Sequence, residues 1–335
     1  MKILLTGGAG YIGSNTALSL LENGHSVSVV DSLVTGTKKL IPPQADYYKC
    51  DIADVKSINE ILKKNVFDIV MHFAGLTKVD ESVKNPEKYM FNNYEKSKMF
   101  LNCCFENNLK KIIFSSTAGV YGDVNSKNLK ETDNLKPINP YAISKSKIED
   151  FLVESSQTKN IYYTILRYFN VAGADKKNRS GLISKSSTNL IKVLCEVALK
   201  KRSKFIINGN DYKTKDGTPI RDFIHVSDIS NIHVLTADSL LKQPTSDIYN
   251  CGYGQGYSIK EVINEMENII KSKLKVEIGP RRESDIVVSV ANSDKFVKKF
   301  NWKPKFNNLN YILKTALEWE KINWWVLKYY KLFQH

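Results

Sequence analysis

Long apolar runs are missing from this chain of 335 residues. Stretches such as 112–114 and 67–73 fall far short of the roughly 18 residues a membrane span needs, so no transmembrane segment is expected. Cysteine is sparse: Cys50, Cys103, Cys104, Cys195 and Cys251 are odd in number and show no CxxC spacing. That pattern argues against a disulfide framework and reads as small buried side chains in a reducing cytoplasm. Histidine is scarcer still in function. His72, His225, His25, His233 and His335 have no metal-ligand spacing, so no metal site is expected. The first residues, Met-Lys-Ile-Leu-Leu-Thr-Gly-Gly, put glycines where a signal peptide needs its apolar region, and no export is implied. Internal repeats, low-complexity linkers and runs of like charge are lacking as well.

What the chain does have is positive charge, +14 with a pI near 9.3. That excess fits nucleic acid, an acidic membrane surface, an anionic small molecule, or simply a lysine-rich exterior. With 42% hydrophobic and 25% charged residues the composition is that of a globular protein, which excludes disordered, collagenous and fibrous classes. The length suits about two domains.

The first 170 residues alternate short β-branched runs with helix-length stretches. Strands are expected at 2–6, 26–31, 47–51, 67–74, 111–116 and 162–168, several of them continuously apolar, as in a parallel sheet covered on both faces. Helices are expected at 12–23, 55–65, 86–107 and 140–156, with Pro86 and Pro140 at helix starts. Repeated β-α-β units of this kind give an α/β, Rossmann-type doubly wound parallel sheet. After residue 170 the pattern turns polar, with one helix near 188–201. A strand–helix–strand stretch at 222–250 is expected to return to the sheet. A smaller mixed α/β segment with an amphipathic terminal helix follows. The division expected is a Rossmann domain over 1–170, rejoined by 222–252, and a second, substrate-binding domain over 171–335.

Thr6-Gly7-Gly8-Ala9-Gly10-Tyr11-Ile12-Gly13 follows the first strand and opens the first helix. Glycines there permit a tight turn and a close approach of backbone to a pyrophosphate, which the helix N-terminus favours. Asp31 ends the second strand, where a carboxylate can bond both ribose hydroxyls and repel a 2′-phosphate, so NAD is expected over NADP. The plainer alternative is a structural turn. Tyr141-Ala142-Ile143-Ser144-Lys145 sets a phenol and an ammonium one helical turn apart. A phenol of ordinary pKa about 10 is a poor base at neutral pH, but a neighbouring lysine cation and a nicotinamide cation favour the phenolate. Thr117, just past a strand end, supplies a hydroxyl where α/β sheets hold ligands. A lone YxxxK is usually just helix surface; glycine loop, acid, strand-end Thr and YxxxK in this order are not.

Joined, these features make the chain resemble the extended short-chain dehydrogenase/reductase family and, within it, the UDP-glucose 4-epimerases. The resemblance runs from Met1 to about Trp319. It takes in Gly7–Gly13, Asp51-Ile52, His72-Phe73-Ala74-Gly75-Leu76 with Glu81-Ser82-Val83, Phe114-Ser115-Ser116-Thr117, Val120-Tyr121-Gly122 and Arg167-Tyr168-Phe169-Asn170. It continues through Gly209-Asn210-Asp211-Tyr212, Asp216-Gly217-Thr218, Arg221-Asp222-Phe223-Ile224-His225-Val226 and Pro280-Arg281-Arg282-Glu283. The resemblance implies C4 epimerisation of a UDP-hexose through a transient 4-keto sugar, with NAD kept bound. Tyr141 is then the base on the 4-hydroxyl, Lys145 holds the nicotinamide ribose and lowers the Tyr141 pKa, and Thr117 bonds O4. It assigns Gly7, Gly10, Tyr11, Ile12, Gly13, Asp31, Asp51, Ile52, Phe73, Ala74, Asn92, Ser115, Tyr141, Lys145 and Phe169 to the cofactor. Asn170, Asn189, Leu190, Arg221, Arg282 and Asp285 fall to UDP, with Thr117, Tyr141 and Ser289 beside the sugar. A homodimer built from 86–107 and 140–156 is also implied.

Four departures from the family pattern matter. Thr117 replaces Ser with the hydroxyl retained. Thr77 precedes Lys78 where Lys often follows Leu76. Asn208 replaces an apolar or aromatic residue near the uracil, which weakens base stacking. Ser289 stands where hexose-only relatives carry Tyr, which opens room beside the sugar 2-position and predicts acceptance of UDP-GlcNAc and UDP-GalNAc; drift with another residue filling the gap is the plainer reading.

Dehydration loses support because Ala118 and Gly119, not a carboxylate pair, follow Thr117. A 4-epimerase of UDP-glucuronate or another nucleotide sugar is the alternative, and needs a cation in the sugar pocket. A silent NAD-binding regulator is disfavoured because both Tyr141 and Lys145 are kept. The tail Trp324-Trp325-Val326-Leu327-Lys328-Tyr329-Tyr330-Lys331 could stack bases or sit on a membrane; a docked terminal helix with solvated lysines is the commoner explanation. No nucleic-acid or membrane partner is therefore expected, and Lys145, Arg221 and Arg282 account for the functional part of the charge.

Overall fold

The computed structural model describes the whole backbone except residues 125, 185, 283–284 and 333–335, and the side chains of that backbone except 126–127 and 324–332. Seven strands form one parallel sheet. Their spatial order is Asp247–Cys251, Tyr162–Tyr168, Lys111–Thr117, Ile69–His72, Lys2–Thr6, Ser26–Asp31 and Asp46–Lys49. Successive side chains of a strand point to opposite faces, and here both faces are apolar. Leu4, Val30, Val70, Ile112 and Phe114 pack on Ile58, Phe100, Leu101, Ile148 and Leu152 of the helices Val55–Lys64, Lys96–Glu106 and Pro140–Thr158. Ile3, Leu5, Val29, Ile69 and Met71 pack the other way, on Ala17 and Leu20 of Tyr11–Glu22 and on Ile229, Ile232 and Leu240 of Val226–Lys242. This double covering is why the strands read as unbroken apolar runs. It makes the α/β, doubly wound Rossmann-type fold.

The strand order reverses between Lys2–Thr6 and Ile69–His72, which opens a crevice at their carboxyl ends where α/β sheets place ligands. Thr6 and His72 close the floor of that crevice with an Oγ1–Nδ1 hydrogen bond of 2.6 Å.

A second sheet runs Gly256–Ser258, Ile220–His225, Val288–Ala291 and Ser126–Leu129, with Asn170–Ala172 pairing beside Ile220–His225. The strand at 220–225 therefore does not enter the large sheet; only the helix Val226–Lys242 and the strand Asp247–Cys251 of that stretch return to it. The helices Leu190–Ala198, Ile259–Ile270 and Leu309–Leu332 pack over this side of the molecule through Leu194, Val262, Met266, Ile312 and Leu313. Ser258 and Glu261 form a capping box at the start of one of them. The expected helix at 86–107 is interrupted. It runs as Pro86–Tyr89, a π-helical turn Met90–Glu95, and Lys96–Glu106; such wide turns occur mostly at functional sites. Glu283 and the aromatic–basic side chains of the tail lie outside the described residues.

Candidate active site

Three glycines shape the loop at the end of the first strand. Gly7 has φ +72°, and a Cβ there would lie 2.7 Å from the Ala74 backbone nitrogen. At Gly13 a Cβ would meet the Gly7 carbonyl oxygen at 2.4 Å, and at Gly10 at 3.1 Å. The loop thus folds onto the next strand's end and onto itself with no room for side chains. Gly10 caps the helix Tyr11–Glu22, whose first turn holds no acidic residue. An α-helix leaves its first amides without internal partners, so this end favours an anion. Tyr11 and Ile12 contribute such amides; the Tyr11 phenol itself donates to the Gly173 carbonyl at 2.6 Å, tying the loop to the other lobe. Asp31 is buried and receives the amides of Ala9 at 3.0 Å and Leu33 at 2.8 Å. Burial raises its pKa against those two bonds. A cradle that any Cβ would fill, an anion-attracting helix end and a buried carboxylate at the second strand's end fit a dinucleotide.

The neighbouring candidates ring the same crevice. Asp51 accepts the Lys96 ammonium at 2.6 Å and the Ala53 amide at 2.9 Å. Burial works to raise the Asp51 pKa, but these bonds outweigh it and leave it lowered. Ile52 is buried beside it. Phe73 and Ala74 follow the strand Ile69–His72 directly against Gly7. Asn92 sits half-buried on the π-helical turn, while its neighbour Asn93 grips Leu76 by both backbone groups, at 2.7 and 2.9 Å. Phe169 is buried, and its amide donates to Cys251 at 3.1 Å.

Tyr141 and Lys145 lie on the helix Pro140–Thr158, which Asn139 caps through the Ala142 amide at 2.9 Å with Pro140 at its first position. The Tyr141 phenol lies beside Thr117, whose Oγ1 accepts the Gly119 amide at 3.1 Å. Desolvation pushes the Tyr141 phenol up to about 12 despite the Thr117 hydroxyl. Lys145 is 4% exposed and donates to the Ser115 carbonyl at 2.8 Å, with the Phe114 ring centroid 4.9 Å away. Burial brings its pKa down to about 8, opposed by the charge of Glu149. A Cβ on Gly75 would sit 3.7 Å from the Lys145 ammonium, so the glycine-loop crevice and the Tyr–Lys pair are contiguous.

Across the cleft, Arg221 lies in the strand Ile220–His225 with Nη2 3.7 Å from Asp285. Tyr212, whose hydroxyl donates to the Asn208 carbonyl at 3.1 Å, lies near the same carboxylate, whose pKa burial raises against the two arginines Arg221 and Arg282. Arg282 approaches Asp80 of the helix Val79–Lys84 at 3.8 Å, bringing the arginine cluster against the segment that follows Leu76. Asn208 presents its amide oxygen to Arg282 Nε and Nη2, both at 3.2 Å, so this unexpected polar residue anchors a guanidinium. Ser289 is 6% exposed and is the Cα partner of Arg221 in the adjacent strand. Asn170 begins the strand Asn170–Ala172. Asn189 spends its side chain capping Leu190–Ala198 through the Lys192 amide at 3.2 Å, and Leu190 packs on the lobe's core.

Asn93, Lys96, Ser116, Glu149 and Arg167 are the polar groups around the site to which sequence reasoning assigned no role. A signal for Glu149 existed, since it extends the Tyr141 and Lys145 spacing by one more turn. The five cysteines are free and buried. Among the described residues no group of three or more His, Cys, Asp or Glu is placed to hold a metal, and no helix is long and apolar enough to cross a membrane.

Residues 3–252 match the family described as the NAD dependent epimerase/dehydratase family. The chain is 39% identical to the UDP-glucose 4-epimerase of Azospirillum brasilense over 320 residues, 96% of this chain and 92% of the relative. It is 41% identical to the structure of the UDP-Glc/GlcNAc 4-epimerase from Campylobacter jejuni, with a TM-score of 0.83 over 96% of this chain and 99% of that one. The UDP-glucose 4-epimerase of Bifidobacterium longum, solved in complex with NAD+ and UDP, superposes with a TM-score of 0.92 at 32% identity, over 96% and 99% of the two chains. Glycine cradle, Tyr–Lys pair and whole-length likeness agree: the chain belongs to the NAD dependent epimerase/dehydratase family.

Proposed function

We propose that the protein interconverts UDP-hexoses at C4, with NAD as a resident cofactor. The observation that carries this is one arrangement. The Tyr141 phenol lies beside Thr117 and has Lys145 one turn on, between a dinucleotide cradle and an arginine–aspartate cluster. Gly7, Gly10, Gly13 and the first amides of the following helix would hold the pyrophosphate of the cofactor and Asp31 its adenosine ribose, and Asp51, Ile52, Phe73, Ala74, Asn92, Ser115 and Phe169 would line it. NAD, when bound, supplies a hydride acceptor and donor for C4 and a fixed positive charge.

The protein's own groups do the rest. A phenol at about 12 is ionised to only about one part in 100,000 at pH 7, so the Lys145 cation and a second nearby cation must favour the phenolate. Tyr141 then takes the proton from the sugar 4-hydroxyl while Thr117 bonds O4, and returns it after the 4-keto sugar has turned over. Arg221 and Arg282 offer planar forks of donors to the UDP diphosphate. Asp285 accepts from the uridine ribose, and Asn170, Asn189 and Leu190 complete that side. We divide the chain into an NAD lobe over 1–170, rejoined by the helix Val226–Lys242 and the strand Asp247–Cys251, and a UDP-sugar lobe over the rest of 171–335.

Ser289 extends the reading to N-acetylated sugars. Its hydroxymethyl group takes far less room than a tyrosine ring, and the Campylobacter jejuni relative is described as a UDP-Glc/GlcNAc 4-epimerase. We further place the protein in the cytoplasm as a homodimer. Exposed Phe91 and Met99 on the 86–106 helical stretch support an interface there. The test is incubation with UDP-galactose, UDP-GlcNAc and UDP-glucuronate separately, without added NAD, followed by separation of epimers. Turnover of the first two supports the reading; turnover of the uronate alone replaces it.

A further inference from the structure

Beneath the reacting groups lies a polar network that the proposed chemistry does not use. At the end of the strand Lys111–Thr117, Ser115 receives Lys145 through its carbonyl and Thr117 sets its hydroxyl beside Tyr141. Ser116, between them and 1% exposed, donates its hydroxyl to Glu149. Glu149 follows Lys145 by one turn and Tyr141 by two on the same helix and is 2% exposed. Arg167 holds it in a fork, with Nη2 at 2.6 Å and Nε at 3.2 Å from both carboxylate oxygens. Arg167 is itself the partner of Ser116 across the sheet and passes on to the Tyr121 hydroxyl at 2.9 Å, which donates to Asn250 at 2.7 Å.

A buried ion pair of this kind adds little to stability compared with apolar side chains of the same volume. Its placement is the informative part. We propose that Glu149 is a positioning residue of the Tyr141–Lys145 pair: it pins their helix to the strand end that carries Thr117 and sets a negative charge one turn behind the Lys145 ammonium. The proposal deepens the epimerase reading and rests on Tyr141 and Lys145 acting as described there.

Other groups facing Lys145 do not supply that charge. The strand Lys111–Thr117 offers the Ser115 carbonyl and the Phe114 ring. The strand Ile69–His72 offers His72, which burial and the Lys145 charge drive down to about 3 and so keep neutral. The segment at Gly75 offers backbone, with the Asn93 amide beside it. Tyr141 on the same helix and Tyr168 on the neighbouring strand are neutral phenols raised by burial. Of these groups only Glu149 is anionic, and it opposes the desolvation that brings Lys145 down to about 8.

The test separates charge from shape. Glu149→Gln keeps the shape and loses the charge; Glu149→Asp keeps the charge and shortens the side chain. The Lys145 pKa is read by NMR of isotope-labelled lysine, its resonance assigned by its loss in Lys145→Arg. Turnover of UDP-galactose across pH and calorimetric binding of UDP are measured on the same proteins. In Glu149→Gln the Lys145 pKa is expected to fall by about one unit. Its kcat should fall by about ten- to a hundredfold, with KM and UDP affinity within about twofold. Glu149→Asp should retain the Lys145 pKa. Should Glu149→Gln fail to fold, Glu149→Gln/Arg167→Met leaves no buried guanidinium without its carboxylate and is expected to show the same fall. An unchanged Lys145 pKa in the charge-removing variant, with Asp as damaging as Gln or more so, overturns the proposal. Failure of wild-type turnover would instead overturn the epimerase reading, since the lysine titration needs no substrate.

Discussion

The Lys145 ammonium donates to the Ser115 carbonyl at 2.8 Å, two residues before the Thr117 hydroxyl that lies beside Tyr141. One helix and one strand end therefore fix three reacting groups together. Tyr141→Phe removes the base without disturbing either element. Its kcat for UDP-galactose is expected to drop by about a hundred- to ten-thousandfold, with calorimetric UDP binding unchanged. Thr117→Ser should keep most of the activity, since only the hydroxyl is used, whereas Thr117→Ala should lose activity by about tenfold or more. Equal activity in all three variants would remove these residues from the chemistry.

Gly7 cannot carry a side chain. At φ +72° an L-residue is strained by about 1–2 kcal/mol, and its Cβ would press on the Ala74 backbone at 2.7 Å. Gly7→Ala should therefore purify with about tenfold less NAD per chain, measured by releasing the nucleotide on denaturation. Full NAD content in that variant contradicts the assigned cradle.

Ser289 is expected to govern the range of sugars. Ser289→Tyr should lose UDP-GlcNAc turnover by about a hundredfold while UDP-galactose turnover falls by no more than about threefold, as expected when an added ring excludes one substrate and leaves the contacts of the other in place. Parallel loss of both would mean a packing defect. The strand it occupies pairs with the Arg221 strand, so UDP binding by the variant is the control.

Acid should destabilise the protein through its buried imidazoles. Burial holds His72 at about 3 and His225 and His233 at about 4, against about 6.5 in an unfolded chain. The unfolded state therefore binds more protons below about pH 6.5, so stability is complete above that value and is lost progressively toward about pH 4. Asp222, raised by burial to about 6, pulls the other way, favouring the fold on the acid side. Asp31, Asp228 and Asp285, also raised by burial, act in the same direction as Asp222, but the three imidazoles carry the larger shifts, and the thermal midpoint should fall between about pH 6.5 and 4.5. His72→Asn should flatten that fall, and a midpoint independent of pH over this range would contradict the burial of these rings.

Sequence reached the Rossmann side of the fold well, because both faces of that sheet are covered and its strands are plain apolar runs. Tyr162–Tyr168 and Lys2–Thr6 were legible to the residue. Ser126–Leu129, with the sequence Ser-Lys-Asn-Leu, was not; its strand character comes from its partner Val288–Ala291. The strand at 220–225 was seen but given to the wrong sheet, since sheet membership depends on partners far along the chain. The π-helical turn at 90–95 has no local signature, yet it carries Asn92 and the Asn93 grip on Leu76. The glycine loop and Tyr141–Lys145 were legible because their chemistry fixes their spacing. Glu149 escaped because a carboxylate four residues after a lysine reads as a solvated surface pair, and its burial is decided by Arg167 and Ser116 from other elements. Asn208 was read only for its effect on stacking; that its amide faces Arg282 depends on a residue far along the chain.

The most direct measurement is incubation of the purified protein with UDP-galactose and no added nucleotide, followed by chromatographic separation of the UDP-hexoses. Appearance of UDP-glucose at a steady ratio, with no net reduced nicotinamide accumulating, is the predicted result. No UDP-glucose, even after NAD is supplied, would contradict the account.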